Sequence, residues 1–192
     1  SRNCATARGG ADYVRIEETS ISGVFRIHPD IHLDERGEFW RSYCRDQLER
    51  FGIEFEVCQS NVSVNRRRHT LRGFHYQQFP SSEQKILTVV TGSVEVAIVD
   101  VRSDSPTWAG HEVFRFEVGD RSSLLVAACC ATGFLTLVDQ TTVHYQMSDF
   151  YQPDDYTGFR FDDPLVGVEW SAEPEVISDR DLKLGPFPVG GP

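Results

Sequence analysis

Between residues 59 and 77, apolar and polar side chains alternate on either side of a short basic segment. Alternation with a period of two is typical of half-buried strands, and a run of polar and basic residues such as 65–69 (NRRRH) is typical of a solvent-exposed loop. The apolar positions of the two alternating stretches are Val62, Val64, Leu71, Phe74 and Tyr76. The pattern therefore predicts two strands joined by a basic loop.

Similar short patterns follow one another along most of the chain. Residues 86–90 and 94–101 are predicted to pair as a β-hairpin around Thr91-Gly92-Ser93, and the second stretch is almost wholly apolar, as in a strand buried on both faces. Further strands are predicted within residues 14–27, 31–40, 111–118, 122–128, 132–137 and 142–147, and short helices within 46–51 and 178–184. Many short strands with little helix predict an all-β fold, either an antiparallel barrel or a jelly roll with short flanking helices.

The length of 192 residues fits one domain with a substantial core. Residues 1–12 are polar and lack a period, which predicts a disordered or vector-derived leader. Residues 13–184 are predicted to form a single domain, and residues 185–192 a loose C-terminal tail. No repeat or linker divides the chain.

Charge and apolar content narrow the classes of protein to consider. The net charge of −10 argues against a nucleic-acid partner, because phosphate backbones require an electropositive surface. The one dense basic run, residues 66–68, could bind a small anionic ligand or simply form a solvent-exposed loop. No apolar run approaches membrane-spanning length, and no secretory signal is seen, so we expect a cytoplasmic protein without a membrane partner. The five cysteines lack CxxC spacing and are expected to be free thiols.

Four titratable side chains have the chemistry for proton transfer. His75 is a natural general base, Tyr145 a natural acid, and Asp181 could fix the tautomer of an imidazole. Lys85 could stabilise an enolate oxygen. Each of these residues is more often structural when taken alone, and spacing does not join them.

The segment around His75 also has the side chains of a binding face. Gln59 and Asn61 are two residues apart and therefore share a face of a strand, Arg72 supplies a planar cation, and Gly73 leaves room beside the imidazole.

Motifs of several other enzyme classes are missing from the sequence. No HxH pair is present, which argues against a metal-dependent cupin oxygenase. The sequence has no phosphate-binding P-loop, no dinucleotide-binding glycine motif and no hydrolase nucleophile elbow. Because the HxH pair is missing, we expect no bound metal.

Seven segments carry more specific motifs. They are DERGEFW (34–40), QSNVSVN (59–65), LRGFHYQ (71–77), the stretch from Lys85 to VDVR (99–102), ATGFLTL (131–137), VHYQMSDFYQP (143–153) and ISDRD (177–181). In this order they resemble the dTDP-4-dehydrorhamnose 3,5-epimerase family, from about residue 21 to residue 182. The resemblance implies a cupin-type jelly roll that dimerises, uses no metal or organic cofactor, and epimerises a 4-keto-6-deoxy sugar linked to a nucleotide diphosphate, most often dTDP.

The resemblance also implies roles for individual residues. His75 corresponds to the catalytic base, Asp181 to the carboxylate that orients it, Tyr145 to the general acid and Lys85 to the residue beside the enolate. The residues that correspond to substrate and phosphate contacts are Gln59, Asn61, Arg72 and Arg180. Arg36 corresponds to an arginine that reaches the ligand of a neighbouring subunit, and Tyr151 to the aromatic residue that stacks on the nucleotide base.

The family has a second hydrogen-bonded pair of side chains beside the sugar, and this chain departs from the family pattern at both positions. The family has a histidine where this chain has Thr132 and an aspartate where it has Val96; Glu38 is a further departure. Losing both members of the pair avoids an unpaired buried charge, so we interpret the change as a coordinated alteration of the pocket. It suggests a C3-only or C5-only epimerase, or a different sugar. A non-catalytic nucleotide-sugar binding protein is the remaining alternative, although such a protein has no need for an acid and a base.

Overall fold

The computed structural model of the protein describes residues 4–6 and 14–190. The first half of the chain contributes β1 (Cys4–Thr6), β2 (Arg15–Glu18), β3 (Phe25–His28), β4 (Ile31–Asp34), β5 (Gly37–Trp40), α1 (Arg45–Glu49), β6 (Gln59–Asn65), β7 (Leu71–Gln77) and β8 (Lys85–Thr91). The second half contributes β9 (Val94–Asp100), β10 (His111–Phe116), β11 (Ser123–Val126), β12 (Cys130–Thr136), β13 (Thr141–Met147), β14 (Tyr156–Gly158) and α2 (Asp179–Leu182). The two strands predicted around the basic loop are β6 and β7, and both are confirmed.

Two antiparallel sheets face each other across the core. The larger sheet has the strand order β1-β2-β3-β11-β8-β13-β6, and the smaller one has the order β10-β9-β12-β7-β14. A separate hairpin is formed by β4 and β5. This arrangement confirms the all-β jelly roll, with short helices at its flanks.

Apolar clusters fill the space between the sheets and cover their outer faces. The inner cluster combines residues of both sheets, such as Leu87 and Val143 from the larger one and Ile98 and Phe134 from the smaller one. A second cluster lies on the outer face of the smaller sheet, and a third beneath α1 on the larger sheet. Strand β9 is buried along its whole length, as its apolar sequence predicted.

The predicted hairpin of residues 86–90 and 94–101 is wrong. Strand β8 belongs to the larger sheet and β9 to the smaller one, so the turn between them crosses from one sheet to the other. Gly92 has a φ of 90° and lies close to Thr141. A Cβ atom on Gly92 would come within 2.7 Å of the Cα of Thr141. Both strands place apolar side chains in the same inner cluster, where strands pack face to face. Two alternating stretches joined by a glycine turn are typical both of paired strands in one sheet and of strands that pack face to face in two sheets. The sequence pattern does not distinguish these cases, which explains the error.

Three short segments also differ from expectation. Residues 4–6 of the predicted leader form β1 and pair with β2, while the rest of the leader lies outside the described residues. Strand β14, in a turn-rich segment, was not predicted. In the predicted tail, Phe187 is buried and donates its backbone N–H to Asp163, so this part of the tail is packed against the domain. No helix in the described part of the chain has the length and apolar character needed to cross a membrane.

Candidate active site

A cavity of about 440 Å³ opens between the two sheets. Its walls combine side chains from β6, β8 and β13 of the larger sheet with side chains from β7, β12 and β14 of the smaller one, and α2 closes one side. The predicted site residues that line it are Asn61, Arg72, His75, Lys85, Thr132, Tyr145, Tyr151, Arg180 and Asp181. A cavity of this size matches those that hold small-molecule ligands.

His75 and Asp181 form a hydrogen-bonded pair across 106 positions of sequence. Nε2 of His75 lies 2.9 Å from Oδ1 of Asp181, whose other oxygen accepts the backbone N–H of Gly73 at 3.1 Å. Burial alone would raise the pKa of Asp181, but the hydrogen bonds from His75 and Gly73 outweigh it and hold this pKa below its ordinary value. The ionised carboxylate can only accept, so Nε2 carries the proton and Nδ1 is the basic nitrogen of the neutral imidazole.

Local backbone geometry holds this pair in place. Gly73 has a φ of 114°, and a Cβ atom there would lie 2.6 Å from the Cα of Gly133 on the neighbouring strand β12. Only glycine fits this position, where its backbone N–H donates to the carboxylate of Asp181. Ser178 caps α2 by accepting the N–H of Asp181 at 3.1 Å, which sets the start of the helix.

Tyr145 approaches the cavity from the opposite sheet. It lies on β13, whereas His75 lies on β7, so the phenol and the imidazole belong to facing walls. Burial raises the pKa of Tyr145 well above its ordinary value, and nearby Arg72 offsets only part of this effect. The phenol therefore keeps its proton at neutral pH and can act as an acid.

Lys85 is paired with a carboxylate that the sequence analysis did not single out. Its Nζ lies 3.0 Å from Oε1 of Glu83, and the two side chains are 11% and 3% exposed. The sequence held a signal for this pair, because residues two apart on an extended segment share one face.

Two arginines of the cavity, Arg72 and Arg180, form no ion pair with a carboxylate of the described residues. Nε of Arg72 donates to the neutral amide oxygen of Asn65 at 2.8 Å. The guanidinium of Arg180 lies over the ring of Tyr156, with its Cζ 4.8 Å from the ring centroid. The ammonium of Lys85 is paired with Glu83, and Asp181 keeps its negative charge beside the neutral His75. Three cations thus face two carboxylates in the cavity lining, so the site suits an anionic ligand.

Two aromatic rings form the wall beside these arginines. The rings of Tyr151 and Tyr156 meet edge to face, with centroids 5.2 Å apart, and Tyr156 also lies 5.4 Å from the His75 ring. Burial raises the pKa of Tyr156 to about 12. The sequence analysis missed Tyr156, because it lies in a turn-rich segment without an alternating pattern.

Three predicted residues lie outside the cavity lining. Gln59 acts one step behind it, where its side-chain oxygen accepts the backbone N–H of Tyr151 at 3.2 Å. Arg36 is 85% exposed on the β4–β5 hairpin and pairs with Asp34, away from the cavity. Val96 is fully buried in the inner cluster.

Val96 and Thr132 nevertheless lie on the same face of neighbouring strands. Thr132 is the cross-strand partner of Ile98, and Val96 is that of Phe134, so Val96 is the diagonal neighbour of Thr132. The Thr132 hydroxyl is buried and has no hydrogen-bond partner in the described part of the protein. Histidine and aspartate at these two positions would face each other behind the cavity wall, whereas this chain has the apolar Val96 there. Among the described residues, no cluster of histidine, cysteine or acidic side chains is suited to hold a metal ion.

Comparison with known proteins gives consistent matches over nearly the whole chain. Residues 18–188 match the family model for dTDP-4-dehydrorhamnose 3,5-epimerase. An enzyme of that name from Mycobacterium tuberculosis is 35% identical over 179 residues, which cover 91% of this chain and 88% of the relative. A dTDP-4-dehydro-6-deoxyglucose 3-epimerase from a Streptomyces species is 35% identical over 164 residues, covering 84% and 83% of the two chains.

A solved structure gives the same result for the fold. The dTDP-4-dehydrorhamnose 3,5-epimerase of Bacillus anthracis, crystallised with TDP and pyrophosphate, superposes with a TM-score of 0.87 at 31% identity. The match covers 90% of this chain and 99% of that one.

Proposed function

Because this chain belongs to the dTDP-4-dehydrorhamnose 3,5-epimerase family, we propose that its cavity inverts C3 and C5 of a dTDP-linked 4-keto-6-deoxy sugar by proton transfer between His75 and Tyr145. The protein is a nucleotide-sugar epimerase, and its substrate is a sugar with a keto group at C4. One observation carries the assignment of roles: a base with an orienting carboxylate and a protonated phenol project from facing sheets into a single cavity.

The proton transfers follow from the chemistry of the keto group. A carbonyl at C4 makes the hydrogens on C3 and C5 acidic, because the resulting anion is an enolate with its charge on oxygen. Nδ1 of His75 removes one of these hydrogens, and Asp181 stabilises the imidazolium that forms. The ammonium of Lys85 stabilises the enolate oxygen. Tyr145 then delivers a proton to the opposite face of the same carbon, which inverts it.

The nucleotide is held by the charges and rings on the other side of the cavity. Arg72 and Arg180 carry the two positive charges without an acidic partner, and a diphosphate supplies the matching negative charge. Tyr151 offers an exposed ring for stacking on the nucleotide base, with Gln59 holding its backbone and Asn61 lining the cavity. We propose dTDP as this nucleotide because the relatives carry it in their names and ligands.

The arrangement of the whole protein is also part of the proposal. A homodimer would give Arg36 a role, because this exposed arginine would reach the cavity of a neighbouring subunit. Residues 13–184 would fold as a single domain in each subunit. We propose the cytoplasm as the compartment, since the four cysteines whose side chains are described are free thiols.

A second candidate function is epimerisation of a single carbon. The observation that favours it is the apolar Val96 buried behind the cavity, together with the unpartnered hydroxyl of Thr132 on the cavity wall. Relatives with similar identity include a 3-epimerase as well as double epimerases. Proton removal and return would then occur at only one of the two carbons, C3 or C5.

The test is incubation of the purified protein with dTDP-4-keto-6-deoxyglucose in heavy water, followed by NMR of the C3 and C5 hydrogens. Deuterium at both carbons is the expected result, and its disappearance in the His75→Ala variant would assign the base. Deuterium at one carbon alone would support the second candidate. Binding of the nucleotide sugar without any exchange would overturn both and leave a binding protein.

A further inference from the structure

Glu83 is a buried carboxylate on the cavity wall that the proton transfers above do not use. Its side chain is only 3% exposed, and its Oε1 lies 3.0 Å from the Lys85 ammonium. A carboxylate removed from water is costly unless a charge and hydrogen bonds compensate it. Here the Lys85 ammonium supplies the compensating charge.

A buried amide fixes Glu83 from the other side. Nε2 of Gln77 donates to Oε2 of Glu83 at 3.0 Å and to the backbone oxygen of Phe150 at 3.1 Å. The side-chain oxygen of Gln77 accepts the backbone N–H of Gln152 at 2.6 Å. These contacts bracket Tyr151, so one amide ties the carboxylate to the segment that carries the proposed base-stacking ring.

Other charged and titratable groups lie around Lys85 in the cavity. They are Arg72 and His75 on β7, Tyr145 on β13, Tyr151 in the following loop, Tyr156 on β14, and Arg180 and Asp181 on α2, with Asp149 behind Ser81. Asp181 is engaged by His75, and Arg72 and Arg180 are cations that repel an ammonium. Glu83 is therefore the carboxylate placed to compensate Lys85.

We propose that Glu83 is a positioning residue that acts through Lys85, holding the ammonium charged and in place against the keto oxygen of the sugar. Burial disfavours the charged form of an amine, and an adjacent carboxylate favours it. Through Gln77, the position of the ammonium is linked to the segment around Tyr151. This inference rests on the proposed function, in which Lys85 stabilises the enolate.

The first test is a double-mutant cycle in the full-length protein. Glu83→Gln keeps the shape of the side chain and removes its charge, and kcat should fall roughly 10- to 100-fold with a smaller change in KM. The alkaline limb of the kcat profile should move to lower pH, because an ammonium without its counter-charge releases its proton earlier. In a Lys85→Gln background, Glu83→Gln should cause no further loss. Losses that simply add would overturn the inference.

Glu95 provides a matched control. It is a buried carboxylate on β9, 8% exposed and 3.6 Å from Arg115, and it does not line the cavity. Glu95→Gln should therefore leave the pH profile of kcat unchanged even if it lowers stability. A similar shift in both variants would mean that the loss of any buried carboxylate produces the effect.

The second test does not depend on turnover. The sequence contains only two lysines, Lys85 and Lys183, so Lys183→Arg leaves one lysine side chain to observe. After reductive methylation with ¹³C-formaldehyde, the titration midpoint of its NMR signal should be lower by roughly 1–3 pH units when Glu83→Gln is added. An unchanged midpoint would overturn the inference. Absence of turnover in the unmutated protein would instead overturn the proposed function, so the two failures are distinguishable.

Discussion

Tyr145 and His75 hold their protons in different ways, and this difference fits the roles proposed for them. Burial keeps the proton on the Tyr145 phenol, whereas the ionised Asp181 fixes one proton of the His75 imidazole and leaves the other nitrogen free. Removing the phenol oxygen therefore should not remove the base. We expect abstraction and inversion to separate at the level of these two residues.

Replacement of Tyr145 by phenylalanine tests that separation. The variant keeps the ring contact with Phe134, whose centroid lies 6.5 Å away, and so keeps the packing. His75 should still remove the substrate hydrogen, and deuterium from heavy water should return from the same face. We expect inversion to fall roughly 10²- to 10⁴-fold while exchange falls much less. Proton NMR measures both quantities in one sample, and an equal loss of the two would contradict the assignment.

At the level of elements, the sequence predicted strands better than it predicted their partners. The alternation around Val62 and Phe74 is a local signal, and β6 and β7 formed as expected. Membership of a sheet is decided by packing across the core, which is why the residues around Gly92 were taken for a hairpin. The pairing of His75 with Asp181 is also non-local, and the family resemblance indicated it while spacing did not. Glu83 could have been found from its position beside Lys85, but Tyr156 could not.

The altered pair on β9 and β12 can be restored by substitution. Val96→Asp alone should lower the free energy of unfolding by roughly 3–5 kcal/mol, because it buries a carboxylate without a partner. Adding Thr132→His should recover part of this loss, since the two positions are diagonal neighbours on one face. Urea denaturation measures the recovery, and the heavy-water experiment shows whether the restored pair changes exchange at C3 or C5. Purely additive destabilisation would mean that the two side chains do not meet.

The loop between β9 and β10 is organised by Asp100, which is fully buried. It accepts hydrogen bonds from Arg102, from Ser105 at 2.5 Å and from Thr107 at 2.6 Å. Burial alone would raise the pKa of Asp100, but these donors outweigh it and hold the pKa below its ordinary value. The stabilisation is therefore present above the ordinary pKa of about 3.9 and is lost as the pH falls through the lower pKa of the folded state.

Asp100→Asn should reproduce this dependence on pH. At pH 7 we expect the free energy of unfolding to fall by roughly 2–4 kcal/mol, because Arg102 loses its counter-charge. The difference between variant and parent should shrink as the pH falls below about 4. Asp162→Asn, in the exposed pair with Arg160, is the control and should change little at any pH. Urea denaturation across this range measures both, and a difference that stays constant with pH would contradict the linkage.

At the level of the whole molecule, the cavity of one chain lacks Arg36. The hairpin of β4 and β5 extends Arg36 into solvent and exposes two apolar side chains on one face, Ile31 and Leu33, which are 41% and 75% accessible. Apolar side chains exposed together on a protruding hairpin are typical of a surface that another subunit covers. A second copy of the chain that received this hairpin would also receive the arginine beside its nucleotide.

Mixed dimers test this arrangement. In the proposed homodimer, Arg36→Ala should raise KM, and His75→Ala should abolish turnover. In a dimer of one chain of each kind, the chain with intact His75 would receive Arg36 from its partner, so one complete cavity would form. Co-expression with two affinity tags isolates this species, and we expect about half the wild-type activity at low substrate concentration. If the mixed dimer forms but shows only the weak activity of Arg36→Ala, the arginine acts within its own chain or not at all.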